Sequence, residues 1–156
     1  MSLINNISQI ADKLASLYLF KGIQPSEISD AIFEKQFSTI TINKTEYEII
    51  LVVSFVESDE ITNQEYKHQI KYIYCKNKYL LKIEQKVGNR NFKVQWSRED
   101  EVSSLINQFI GHVKHNISPI QLEKILATLP IELQPKIYTK LKLVTENKRL
   151  RIISIQ

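Results

Sequence analysis

Glycine is scarce in this chain. Only Gly22, Gly88 and Gly111 occur among 156 residues, and no two of them are near each other. The P-loop and the dinucleotide-binding turn both need clustered glycines so that backbone can approach a phosphate closely. Their absence argues against nucleotide hydrolysis and Rossmann redox chemistry. Cysteine is scarcer still: Cys75 stands alone, so no disulfide forms within the chain and an oxidising compartment is not indicated. No apolar run reaches the roughly 18 to 20 residues that cross a bilayer, and no basic segment leads into an apolar stretch near the start. The expectation is a soluble, cytoplasmic protein with no membrane association. No Gly-x-Ser-x-Gly elbow is present, and no nucleophile has a base at a credible position. A non-catalytic role without cofactor or metal is therefore expected.

What is present suits a folded chain. Hydrophobic residues make up 43% and charged residues 24%, the mixture of a globular protein rather than of a disordered tail. A chain of this length can bury a sizeable core as one domain, residues 1–156. The net charge of +4 hides an uneven distribution: residues 1–60 carry −5, 61–98 carry +7, 99–111 carry −3 and 112–156 carry +5. Two basic blocks of this kind can steer acidic partners.

Periodicity divides the chain into a helical N-terminus (1–36), an antiparallel sheet (37–96) and a helical C-terminal part with a short β-prone end (97–156). Leu3, Ile7, Ile10, Leu14 and Leu17 form one apolar stripe on a helix. Such a stripe packs on its own sheet or serves as a partner-binding or homodimerising surface. Gly22 stops that helix, and Pro25 opens a second one running to about Lys35. From Phe37 the period becomes two, giving strands at Phe37 to Asn43, Tyr47 to Val56, Tyr66 to Cys75, Tyr79 to Val87 and Phe92 to Trp96. Their short connections forbid parallel crossovers, so a five-stranded antiparallel meander is predicted. Ser97 and Asp100 open a helix to about Asn116, with Val102, Leu105, Ile106, Phe109, Ile110 and Val113 inward. Ser118-Pro119-Ile120-Gln121 opens another to about Leu129, and a last helix lies near Ile131 to Val144, begun or kinked by Pro135. The fold class is α+β.

Few side chains suggest chemistry. His112 and His115, three apart on one helix, would need two further ligands to hold a metal, and a solvated role near a helix C-terminus is the better reading. Glu57, Asp59 and Glu60 cluster on a loop without the regular oxygen spacing of a calcium site. Cys75 reads as a small buried hydrophobe.

The basic alternation in "KYLLKIEQKVGNRNFKVQW" (78–96) is more telling. Strict alternation puts Leu81, Ile83, Val87, Phe92, Val94 and Trp96 on one face and Lys82, Glu84, Lys86, Lys93 and Gln95 on the other. Lys67, Gln69 and Lys71 join the second face if the registers coincide, with Arg90 at the hairpin tip. Lys67, Lys71, Lys82, Lys86, Arg90 and Lys93 are thus candidate contacts for an acidic protein or for nucleic-acid phosphates. A solvated sheet face rich in lysine is the bland alternative. Single-strand binders place aromatics among their basic groups, whereas Phe92, Trp96, Tyr66, Tyr72 and Tyr74 fall here on the apolar face. Trp96 is expected to be mostly buried where the last strand meets the long helix.

The stretch "SPIQLEKILATLPIELQPKIYTKLKLVTENKRLRIISI" (118–155) runs helix, break, helix, basic β-prone end. That order resembles a winged-helix unit, which implies a recognition helix and a wing contacting DNA. Lys136, Lys140, Lys142, Lys148, Arg149 and Arg151 supply suitable charges, of which Lys140, Arg149 and Arg151 are the leading candidates. Pro135 inside the would-be recognition helix departs from the pattern, and a helical cap with a solvated basic surface is the competing reading. The expected function is a small adaptor that binds a protein partner, with nucleic-acid binding as the alternative.

Overall fold

A computed structural model describes residues 3–59 and 61–142. The chain divides into two compact units, one made of Met1–Leu19 with Val102–Gln156 and the other of Phe20–Glu101.

The described residues of the first unit form helices and short turns. Helix α1 (Leu3–Leu19) carries the predicted stripe: Ile7, Ile10 and Leu14 are buried together with Ala11, and Leu17 packs against them. Of the helix Arg98–Asn116, the part from Val102 onward belongs here, and Val102, Leu105, Ile106, Phe109 and Ile110 all lie inward, with Val113 partly covered. The helix Pro119–Leu126 has the reciprocal Ser118–Gln121 capping box expected from the sequence. It ends sooner than periodicity predicts, because the chain turns through 127–133 before a further helix at 134–142. Pro135 sits at the start of that helix, where its missing N–H costs nothing, and so begins it rather than kinking it. Leu126, Leu129, Leu133 and Ile137 complete one apolar core. Each fully buried aliphatic side chain contributes roughly 1.5–3 kcal/mol to it.

The second unit is the antiparallel meander. Strands β1 (Phe37–Lys44), β2 (Glu48–Ser58), β3 (Glu65–Cys75), β4 (Leu80–Val87) and β5 (Lys93–Ser97) are hydrogen-bonded in sequence order in one sheet. A short helix, Pro25–Ser29, continues as a 3₁₀ turn, Asp30–Phe33, where the sequence suggests one helix to Lys35. Only Ile28 is buried in this stretch, and too few apolar side chains recur at helical spacing to hold a longer helix.

Register assigns the faces. Leu51 lies opposite Tyr72, Val53 opposite Ile70 and Tyr72 opposite Ile83. Leu51, Val53, Tyr72 and Ile83, with Tyr74, Leu80, Phe37, Ile40, Ile49 and Trp96, form one cluster with Ile28 on the inner face. The segment before Ile28 is fastened to the same unit. Tyr74 Oη–H donates to the Ile23 carbonyl at 2.9 Å, and Leu80 N–H donates to the Lys21 carbonyl at 2.8 Å. Arg98 Nε–H donates to the Leu80 carbonyl at 2.6 Å and its Nη2 to the Lys21 carbonyl at 3.2 Å. The same guanidinium lies 5.4 Å from the Tyr79 ring centroid and 5.5 Å from that of Trp96. Gly22 makes this approach possible: its φ is +85°, and a Cβ there would stand 2.9 Å from Leu80 Cβ. Trp96 keeps some exposure, but most of its surface is covered where the last strand meets the helix Arg98–Asn116, as expected. It pairs with Ile83 on the inner face, packs against the apolar cluster there and carries Arg98 on its ring.

Candidate functional site

The outer face of the sheet holds four of the nine candidate contacts singled out from the sequence. On β2, Ile50, Val52, Ser54 and Val56 point to this side, and their partners on β3 are Ile73, Lys71, Gln69 and Lys67. On β4, Lys82, Glu84 and Lys86 pair with Ile73, Lys71 and Gln69. Lys67, Lys71, Lys82 and Lys86 therefore share one face. Beside them runs a half-buried apolar strip made of Ile50, Val52, Val56 and Ile73.

Lys93 does not share it. Alternation carried through β5 predicts Lys93 beside Lys86 and Val94 beside Trp96, but the register slips between Ile83 and Glu84, so that Trp96 opposes Ile83, Val94 opposes Glu84 and Lys93 opposes Gln85. Gln95 is the extra residue of a β-bulge, and a one-residue slip moves every side chain beyond it to the other face. Val94 consequently lies on the lysine face, 52% exposed, and Lys93 on the opposite one.

The same bulge relocates Phe92. Lys71 Nζ lies 3.7 Å from the Phe92 ring centroid and Lys86 Nζ 4.9 Å from it. The ring is thus on the basic face, flanked by two ammonium groups, and not on the apolar face that strict alternation assigns. Contacts of this kind draw the cations to the ring by its quadrupole. No short sequence signal announces this placement, because a bulge at a polar residue such as Gln95 has no composition of its own.

Charge on this face is only partly compensated. Glu84 accepts from Lys71 Nζ at 2.9 Å and lies 4.0 Å from Lys82 Nζ. Gln69 donates to Ser54 Oγ at 2.9 Å, which satisfies both polar groups within the sheet. Lys67 is exposed beyond this network. Arg90 is exposed at the β4–β5 turn, its backbone N–H donating to the Val87 carbonyl at 3.2 Å.

The remaining candidates lie elsewhere. Lys140, on the helix 134–142, donates from Nζ to Asn107 Oδ1 at 2.9 Å within the helical unit. Arg149 and Arg151, and with them the β-prone end of the winged-helix pattern, lie outside the described residues. In the acidic loop, Asp59 accepts the N–H groups of Ile61 at 2.9 Å and Thr62 at 3.3 Å. These bonds favour its ionised form and hold its pKa below the usual carboxylate range. Asp59 thus shapes the loop. Glu57 instead pairs with His68 Nε2 at 3.1 Å, and Glu60 lies outside the described residues. His68, a residue the sequence did not mark, stacks on Phe55 with ring centroids 5.1 Å apart, and its buried Nδ1 has no hydrogen-bond partner among the described residues. No group of three His, Cys, Asp or Glu side chains converges as a metal site among the described residues, and no helix among them is long and apolar enough to cross a membrane.

Comparison with protein-family models, with curated protein sequences and with solved structures finds no match for this chain.

Proposed function

We propose that this chain is a non-catalytic binding protein that docks an acidic protein partner on the outer face of its sheet. The observation that supports this reading is the pairing, on one face, of the apolar strip Ile50-Val52-Val56-Ile73 with the row Lys67-Lys71-Lys82-Lys86. An apolar strip supplies area to desolvate, and a bordering row of cations selects a partner of opposite charge and raises its association rate. Reversing Lys67, Lys82 and Lys86 to Glu in the full chain tests it. Partners recovered by cross-linking from the native host should be lost with the triple reversal and retained with Lys140→Glu, whose side chain bonds Asn107 in the helical unit. Retention of the same partners by the triple variant would remove the sheet face from consideration.

Phe92 supports a second reading, single-stranded nucleic acid. An aromatic ring between two lysines is the local arrangement on which a base stacks while its phosphates meet the cations. On this reading affinity for an oligonucleotide falls with salt, by about 0.7 in log–log slope per phosphate neutralised. Phe92→Ala lowers affinity with the slope unchanged, whereas Lys82→Ala with Lys86→Ala reduces the slope. No detectable binding at low salt leaves the protein partner as the only reading.

A further inference from the structure

The two edges of the sheet differ. β5 is five residues long, bulged at Gln95, begun by Lys93 and preceded by Arg90 at the turn, all features that discourage pairing with a foreign strand. β1 is eight residues long, and its stretch Thr39-Ile40-Thr41-Ile42-Asn43 has no charge, proline or glycine. Its irregularity is confined to the start, between Phe37 and Thr39. Thr39, Thr41 and Asn43 are exposed, and Ile42 is 56% exposed.

Alternation identifies the backbone groups on the free side. At the hairpin end Thr45 N–H donates to the Glu48 carbonyl at 2.8 Å, so these two form a hydrogen-bonded pair. Hydrogen-bonded and non-bonded pairs alternate along an antiparallel ladder. Asn43, Thr41 and Thr39 therefore bond β2, and the N–H and C=O groups of Ile40 and Ile42 point outward.

We propose that this edge joins two copies of the chain, β1 pairing antiparallel with β1 of the second copy about a twofold axis at Thr41. In that register Thr41 meets Thr41, Ile40 meets Ile42 and Thr39 meets Asn43. Apolar groups lie on apolar ones, neutral polar groups on neutral polar ones, and Lys44 falls opposite Ser38, so no like charges meet. Axes at the neighbouring residues lose this match: at Ile40 the axis sets Ile42 against Ser38, and at Ile42 it sets Ile40 against Lys44. Ile40 and Ile42 exchange hydrogen bonds across the axis, which satisfies the outward groups, and the exposed Ile42 gains a cross-strand Ile neighbour. An isologous contact closes on itself and leaves the two β5 strands, one from each copy, as the edges of the joined sheet. One strand pair is a small interface, so assembly depends on concentration. The proposal does not rest on the partner reading above.

Sedimentation equilibrium of the full chain tests it. The mass should rise with concentration from the 18.3 kDa of one chain toward twice that value. Thr41→Lys and Thr41→Glu should each stay monomeric, because like charges then meet on the axis. Mixing the two in equal amounts should restore the dimer, which requires that both variants be folded. As an independent check, Thr41→Cys in a Cys75→Ser background should form a covalent dimer on mild oxidation, since Cα atoms of a non-hydrogen-bonded pair lie about 4.5 Å apart, within disulfide reach. A chain that stays monomeric up to its solubility limit, a dimer that survives both charged variants, or single-variant monomers that fail to re-form a dimer when mixed while Thr41→Cys also fails to cross-link would each overturn the Thr41 axis.

Discussion

Replacing Arg98 by Ala should destabilise the sheet unit by about 3 kcal/mol. The hydrogen bond to the Leu80 carbonyl is partly buried and charge-assisted, which places it at about 1.5–2 kcal/mol. The bond to the Lys21 carbonyl is exposed and longer, so about 0.5–1 kcal/mol is appropriate. Two ring contacts, with Tyr79 and Trp96, add about 0.5–1 kcal/mol each at this exposure. Against these stands the unfavourable position of a cation in the first turn of a helix, worth roughly 0.5 kcal/mol. Trp96 is the only tryptophan, so its fluorescence follows urea unfolding of this unit without labelling. Arg98→Ala should lower the urea midpoint and change the native emission of Trp96, whereas Arg98→Lys should recover only part of the loss, because an ammonium cannot reach both carbonyls in a planar fork. A cost below about 1 kcal/mol for Arg98→Ala would mean that the segment around Lys21 and Gly22 is held by other contacts, and the account of Arg98 as its fastener would fail.

Burial, then the neighbouring Tyr72 phenol and the Glu27 carboxylate, push the Tyr74 hydroxyl up to about 12. The unfolded chain releases this proton near its ordinary value of 10.0, so the stability it contributes is whole below that pH and is lost as pH rises toward about 12. Tyr74→Phe should cost about 1 kcal/mol at neutral pH through the bond to Ile23 and should flatten the alkaline fall in urea midpoint, leaving the smaller share due to Tyr72, whose pKa burial also raises. Gly22→Ala should cost about 1–3 kcal/mol by the same denaturation assay, since a left-handed backbone and the Leu80 contact both oppose a methyl group. His68→Phe keeps the stack on Phe55 and removes an unpartnered buried nitrogen, so it should be neutral to about 1 kcal/mol stabilising. A loss above that for His68→Phe would assign the Glu57 pair more weight than an exposed carboxylate earns.

Much of the architecture was legible because it depends on local chemistry. The stripe Ile7-Ile10-Leu14, the inward set Val102 to Ile110 and the Ser118–Gln121 cap follow from helical periodicity and from orphan amides at a helix start, neither of which needs a distant partner. The meander followed as well, since period-two runs joined by short turns can pair only antiparallel. Pro135 illustrates the limit even here: its ring excludes helix before it as readily as it starts helix after it, and the turn at 127–133 decided between the two.

The outer face was legible only in part. Lys67, Lys71, Lys82 and Lys86 came out on one side because β3 and β4 alternate without interruption between them. Lys93, Val94 and Phe92 did not, because the bulge at Gln95 is a property of how β5 fits the twist and register of β4, and no residue of β5 encodes it alone. Its effect is large for so small a change: it removes one lysine from the face and sets an aromatic ring beneath two others. The inner face shows the same dependence on distant contacts. Trp96 was read as a core residue from its strand and does pack on the inner-face cluster, but the cation over its ring, Arg98, is held by carbonyls at Lys21 and Leu80 that the strand does not reveal. Alternation thus set which side chains could share a face, while the register between paired strands decided which of them do.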